Sequence, residues 1–339
     1  MRSLEIVDQS MVQPTPPFLD ASVNVAVVIP AYNAEAYIAQ CMESVWGQTR
    51  APDEIIVIND GSTDRTGEML ENMRPRVKVI HKRNGGLAAA RNEGFSVTQC
   101  RYVAFLDADD YWPPQKLEIY HAEALKHPEA GLFYSNSLCV GSQGVYRYVH
   151  AGAPGENPFF QLLKRNFVAS STAMVERAVW QSVGGLRGGF SHPAGVVDWD
   201  FFLNVARVKP FHYISEPLLF YRVHDKSAMQ TRQEALWKDS VRVVLWHSQK
   251  GNVPSQIKRE ALSSIFYQSG LRLLTAGFPR QARDHFFQSV RYSLLSFSSI
   301  GLIFVSLAGS RVISVLLTLR RNLLRLSIFV SKIVDWKVK

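Results

Sequence analysis

The chain has 339 residues, 47% hydrophobic and 20% charged, enough apolar material for one large domain with a smaller appendage. Cys41, Cys100 and Cys139 are far apart and odd in number, so they show neither metal-ligand spacing nor a disulfide framework, which fits a reducing compartment. The net charge is +9, and ten Lys/Arg against two Asp between Arg280 and Lys339 place nearly all of that excess at the end of the chain. With no aromatic-basic stacking motif and no zinc pattern, this points to an anionic membrane surface, or a solvated basic tail, and not to nucleic acid.

Residues 1–22 carry acids and Pro14, Pro16 and Pro17, without an apolar core long enough for a signal peptide. They read as an extended, flexible lead, which leaves the rest expected on the cytoplasmic side, peripheral to the membrane. Val23 to Ile29 is a β-branched apolar run ending at Pro30, the pattern of a buried parallel strand. Ala34 to Gln48 has helical spacing, with Ile38, Met42, Val45 and Trp46 on one face. Strands are predicted over Glu54 to Ile58, Val77 to His81 and Tyr102 to Leu106, with a helix over Thr63 to Met73 and another opened by Gly85-Gly86. This alternation predicts an α/β fold with a doubly wound, mostly parallel sheet flanked by helices.

In such sheets ligands bind beyond the carboxyl ends of the strands. Three polar clusters fall there: Tyr32-Asn33, Asn59-Asp60-Gly61-Ser62 and Asp107-Ala108-Asp109-Asp110. Carboxylates at i and i+2 leaving a strand point to one side. Asp107 and Asp109 have that spacing, and hard oxygen ligands of this kind suit Mg2+ or Mn2+ with substrate phosphates completing the shell. The middle of the chain predicts a helix over Lys116 to Lys126, a strand over Gly131 to Ser135, a helix after Asp198 and a returning strand over Phe211 to Val223. From Gln233 onward the pattern is helical, with an amphipathic Ala282 to Leu295. Tyr292 to Ser310 is uncharged and followed by Arg320, Arg321, Arg325 and Lys332; it admits a membrane-surface or re-entrant hairpin, a span, or a buried helix. The boundaries expected are 1–22 for the lead, 23–230 for the α/β domain and 231–339 for the basic helical region.

Four blocks, Val27 to Asn33, Val57 to Asp64, Asn84 to Asn92 and Phe105 to Asp110, resemble in order and spacing the signature segments of family 2 glycosyltransferases. The resemblance implies a GT-A fold, a nucleotide-diphosphate sugar donor, a divalent metal and inversion at the anomeric carbon. It implies that Pro30 and Tyr32 line the nucleotide pocket, that Asp60 accepts a hydrogen bond from the base, and that the backbone of Gly85 and Gly86 approaches the nucleotide. Arg91 would balance phosphate charge or a nearby carboxylate. Asp107 and Ala108 would lie toward the nucleotide sugar, with Asp109 the first choice for the metal.

The segment Gly184-Gly185-Leu186 followed by Val197-Asp198-Trp199-Asp200-Phe201 resembles the family's glycine loop and acidic motif. There Asp198 would be the general base, although Val197 stands where the family has Glu. Asp200 is the fallback base or a first-turn acid on the helix dipole. Trp199 and Trp112 would stack on sugars or pack in the core. Tyr221-Arg222-Val223-His224 resembles the strand end whose histidine meets metal or diphosphate. The acceptor implied is a glycan or lipid-linked intermediate. A sugar nucleotidyltransferase would want a Gly-rich, Arg-containing loop after the first strand, and a dinucleotide enzyme a Gly-x-Gly-x-x-Gly; Pro30-Ala31-Tyr32-Asn33 is neither. The remaining alternative is a GT-A protein that binds glycan or nucleotide sugar without catalysis.

Overall fold

The computed structural model describes residues 23–74, 76–142, 144–191, 196–224, 233–293 and 297–307. The N-terminal lead and the basic run from Arg311 to Lys332 lie outside them.

Four parallel strands open the fold. They are β1 (Val25–Ala31), β2 (Glu54–Asn59), β3 (Lys78–His81) and β4 (Tyr102–Phe105). Between them run α1 (Ile38–Trp46), α2 (Thr66–Glu71) and α3 (Gly86–Val97). The unbroken apolar run of β1 reflects burial on both faces. Ala26 and Val28 face one core layer, while Val25, Val27 and Ile29 face the other. Helix α1 begins four residues later than its periodicity predicts, because Ala34 and Glu35 turn to donate their amides to Thr66 and Asp64.

The second half of the sheet is mixed. It holds β5 (Leu132–Gly141), β6 (Gly144–Val149), β7 (Met174–Glu176) and β8 (Phe211–Arg222). The order is β3-β2-β1-β4-β7-β5-β6, with β8 pairing β5 in parallel. β7 runs antiparallel between β4 and β5. Because β2 and β4 flank β1, the chain reverses its direction of growth across the sheet there, and a crevice opens at the carboxyl ends of β1 and β4. The expected strand at Gly131 to Ser135 is the first half of β5, and the expected helix after Asp198 is α7 (Val197–Val205), which already includes Asp198.

Helix α3 lies unusually close to the sheet. A Cβ on Gly94 would stand 2.3 Å from Val28 Cγ1, so only glycine lets the helix settle against β1. One turn earlier, this packing carries Arg91 beneath the crevice.

The remaining helices are α4 (Lys116–Lys126), α5 (Pro158–Lys164), α6 (Arg177–Val183), α8 (Gln233–Lys250), α9 (Ser255–Thr275), α10 (Pro279–Tyr292) and α11 (Phe297–Leu307). Leu236, Val243 and Val244 of α8 and Ala261 and Leu262 of α9 belong to the same core layer as Val28 and Phe105. The amphipathic segment expected over Ala282 to Leu295 is α10, which ends at Tyr292. The uncharged run is therefore interrupted. Helix α11 is described over Phe297–Leu307, and among the described residues no helix is long and apolar enough to cross a membrane.

Candidate active site

The loop after β1 is laced to the loop after β2. Asn33, at φ 51°, accepts from the Thr63 amide at 2.8 Å, and its own amide donates to Ser62 Oγ at 3.0 Å. Pro30 is buried in β1 and Tyr32 projects with 53% of its surface exposed, so the ring is free to meet a ligand. Asp60 is buried at the end of β2. The amides of Gly85 and Gly86 donate to its two oxygens at 2.8 Å each, and Lys82 Nζ stands 3.3 Å from Oδ1. Gly61 sits at φ +75°, and a Cβ there would meet the Asn84 nitrogen at 2.7 Å. The loops after β2 and β3 are thus pressed into one unit. A nucleotide base reaching Asp60 would have to share these oxygens: Oδ1 already accepts from Gly85 and Lys82, whereas Oδ2 accepts only from Gly86 and keeps a second lone pair.

Arg91 is fully buried and joins two distant segments. Nη2 bonds Asp107 Oδ1, and Nη1 bonds Asp198 Oδ1. Asp198 Oδ2 accepts from the Ser170 hydroxyl. Of the two roles open to Arg91, bridging carboxylates is the one seen here. Ser170 belongs to a 3-10 turn, Ser170–Thr172, which also anchors the acidic loop. Ser171 Oγ donates to Asp110 Oδ2 at 2.7 Å and accepts from the Asp107 amide at 3.1 Å.

Within the acidic loop the four residues diverge. Ala108 is buried. Asp110 is buried too, and accepts from Ser171 and, at 2.9 Å, from the Arg222 amide, so it ties the loop to β8. The Asp107 and Asp109 side chains remain 30% and 33% exposed. Asp109 Oδ2 lies 3.0 Å from His224 Nε2. Burial, followed by the charge of Asp107, raises the Asp109 carboxyl above its usual range, while His224 opposes the shift. Cys41 donates from below to the Asp107 carbonyl at 3.7 Å; burial pushes its thiol well up, leaving a neutral donor and not a thiolate.

The donor set can be tested against a divalent cation. Two partly open carboxylates that repel one another, beside an imidazole whose Nδ1 is buried without a hydrogen-bond partner, form a set that a hard cation would relieve. Asp109 and His224 are in contact, but the ligand atoms of Asp107, Asp109 and His224 do not all come within 4.8 Å of one another, so an ion held by all three would have to draw the Asp107 carboxylate in, with phosphate oxygens or water filling the rest of its shell.

Trp199 and Asp200, expected on the acceptor side, lie inside the protein. The Trp199 indole donates to the Leu162 carbonyl at 2.7 Å and is 5% exposed. Asp200 is fully buried, held by Arg187 at 2.5 and 3.1 Å and by His247 Nε2 at 3.0 Å. The reason is that α7 is buried on nearly every side, with Asn204 its one half-buried residue. Trp112 is likewise a core residue, donating to the Ser171 carbonyl at 2.8 Å.

Arg222, Lys82 and Ser170 were not singled out from sequence. Arg222 Nε donates to the Asp109 carbonyl at 2.8 Å and its guanidinium lies over Tyr37 and Tyr111. It adjoins the strand end that nominated His224, and Lys82 directly follows a strand end; both positions were readable signals. Ser170 had none.

The model of the "Glycosyl transferase family 2" domain matches residues 26–182. This chain carries a family 2 glycosyltransferase domain. Over 211 residues the chain is 32% identical to the hyaluronan synthase of Pasteurella multocida, covering 59% of this chain and 21% of that protein. It thus spans about a fifth of that synthase. The glycosyltransferase domain and its C-terminal helices resemble residues 1–349 of TarS from S. aureus in complex with UDP-GlcNAc, with a TM-score of 0.61, 17% identity and coverage of 84% of this chain and 89% of that one. They also resemble the mannosyltransferase PcManGT from Pyrobaculum calidifontis in complex with GDP-Man and Mn2+, with a TM-score of 0.56, 15% identity and coverage of 93% and 91%. The fold of this chain is GT-A.

Proposed function

We propose that this protein transfers a sugar from a nucleotide-diphosphate donor to a hydroxyl of a glycan or lipid-linked acceptor, with inversion. The observation that carries this reading is the Arg91 bridge. One buried guanidinium holds Asp107 of the candidate donor loop and Asp198 of the candidate base helix at a fixed separation. That arrangement suits a reaction in which a nucleophile and a departing diphosphate lie on opposite sides of one carbon.

Pro30, Tyr32, Asp60, Gly85 and Gly86 would frame the nucleotide. Lys82 and Arg222 would meet phosphate charge. Asp198 would take the acceptor proton as the new bond forms, which requires the acceptor hydroxyl to displace Ser170 or to use the second lone pair of Oδ2. A Mg2+ or Mn2+ ion on Asp107, Asp109 and His224 would offset negative charge developing on the diphosphate. Val196 and Val197, next to Asp198, are both buried, so the position where the family has Glu supplies packing here.

Two measurements test this together. UDP or another nucleoside diphosphate should raise the melting temperature more with Mn2+ than without, and Asp109→Asn should abolish that difference. Asp198→Asn should keep nucleotide binding and lose roughly 10²–10⁴-fold in transfer. Equal transfer by the variant would remove Asp198 as base. Nucleotide binding without transfer from any donor would favour a non-catalytic binding role. The basic C-terminal region supports peripheral contact with an anionic membrane at the cytoplasmic face. Sedimentation with anionic vesicles that persists in high salt would count against a mainly electrostatic contact.

A further inference from the structure

A second cluster lies at the opposite end of β8 from the candidate active site. Glu123 is in the last turn of α4, His127 caps that helix and His212 is the second residue of β8. His212 Nε2 is 2.9 Å from Glu123 Oε2, and His127 Nε2 is 3.8 Å from the same oxygen. The two imidazoles stack with centroids 3.9 Å apart. Among the described residues this is the one trio of His, Cys, Asp or Glu whose candidate ligand atoms all lie within 4.8 Å of one another.

The geometry points to a transition-metal site formed by Glu123, His127 and His212, with Zn2+ the ion its chemistry fits best. Two imidazoles and a carboxylate form a three-ligand set that leaves a fourth position to water, and imidazole selects Zn2+ over Mg2+. Bonds of about 2.0–2.1 Å in a tetrahedral shell put ligand atoms roughly 3.3 Å apart. The distances of 2.9 and 3.8 Å to Glu123 Oε2 bracket that spacing and the remaining pair lies within 4.8 Å, so the two stacked rings would have to tilt for their nitrogens to converge on one ion. An outer partner is in place as well. Glu129 Oε1 lies 3.3 Å from His127 Nδ1, where it can orient the ring with Nε2 toward the ion. Lys126 occupies Glu123 Oε1 at 2.8 Å and leaves Oε2 for the metal. The side chains are 21% to 37% exposed, so the site is open to solvent. Nine residues of β8 lie between His212 and Arg222, roughly 30 Å of strand, so the ion would clasp α4 to β8 without entering the sugar-transfer chemistry.

Calorimetric titration of the metal-stripped full chain with Zn2+, in excess Mg2+, tests the assignment. One Zn2+ per chain is expected. His127→Asn, His212→Asn and Glu123→Gln should each weaken it at least tenfold, with circular dichroism confirming that the variants are folded. The Asp109→Asn/His224→Asn variant should bind Zn2+ as the unmodified chain does. Replacing Zn2+ by Co2+ should give the visible absorption of a four-coordinate ion, absent in His212→Asn. No Zn2+ binding by the unmodified chain, binding unchanged in both histidine variants, or binding lost only in the Asp109/His224 variant would each overturn the site.

Discussion

Lys116 is an ammonium-bearing side chain with no surface exposure. It donates to the Thr172 carbonyl at 3.2 Å and lies over the rings of Trp112 and Tyr120. Burial alone drives its pKa well below the ordinary 10.5. Between the lowered folded value and 10.5 the unfolded chain binds the extra proton, so stability attributable to this residue rises as pH rises toward 10.5. Lys116→Met, similar in length and uncharged, should therefore be more stable than the unmodified chain at neutral pH, with a gap in urea midpoint that narrows toward pH 10. A gap constant with pH would show that Lys116 does not titrate this way. At this scale the sequence was informative where a residue's neighbours are local. Asp107 and Asp109 were nominated by their spacing, and the Asp109–His224 contact follows. It misled at Trp199 and Asp200, because a helix buried almost all round gives no polar face from which to read an open side.

The parallel strands β1, β2 and β4 were legible because strands covered on both faces read as continuous apolar runs. β7 was not, since three residues, Met174 to Glu176, are too short for any period to emerge. β6 was missed for the opposite reason: most of its residues are exposed, leaving no buried alternation. Glycine signals were clearer in their place than in their purpose. Gly85-Gly86 marked the start of α3, but the closest constraint in that helix is Gly94 against Val28. Gly94→Ala should cost about 1–3 kcal/mol in a urea titration through overpacking. It should also weaken nucleotide-dependent stabilisation, because α3 can yield only by lifting Arg91 with it. A neutral result would mean that Val28 swings aside.

At the scale of the whole molecule, the sequence expected an α/β domain over 23–230 and a basic helical region over 231–339. The two share a core layer, and His247 of α8 reaches fully buried Asp200 of α7. Periodicity along a helix reveals an apolar face but not which surface receives it, so this union was not readable. His247→Ala should lower stability by about 1.5–3 kcal/mol by leaving Asp200 short of a partner. It should leave a single calorimetric transition across both parts, whereas two separated transitions would restore the division near residue 230. The sheet order has a further consequence for biosynthesis. β4 is complete at Phe105, but its outer edge is paired only when Met174 to Glu176 arrive, about 70 residues later. At about 5–20 residues per second, that edge waits several seconds on the ribosome. β5 waits for Phe211 in the same way. The strand that leads into the acidic loop is thus an open template for mispairing during synthesis, and cells that produce this chain quickly or in the cold will meet aggregation there before any defect in the finished fold.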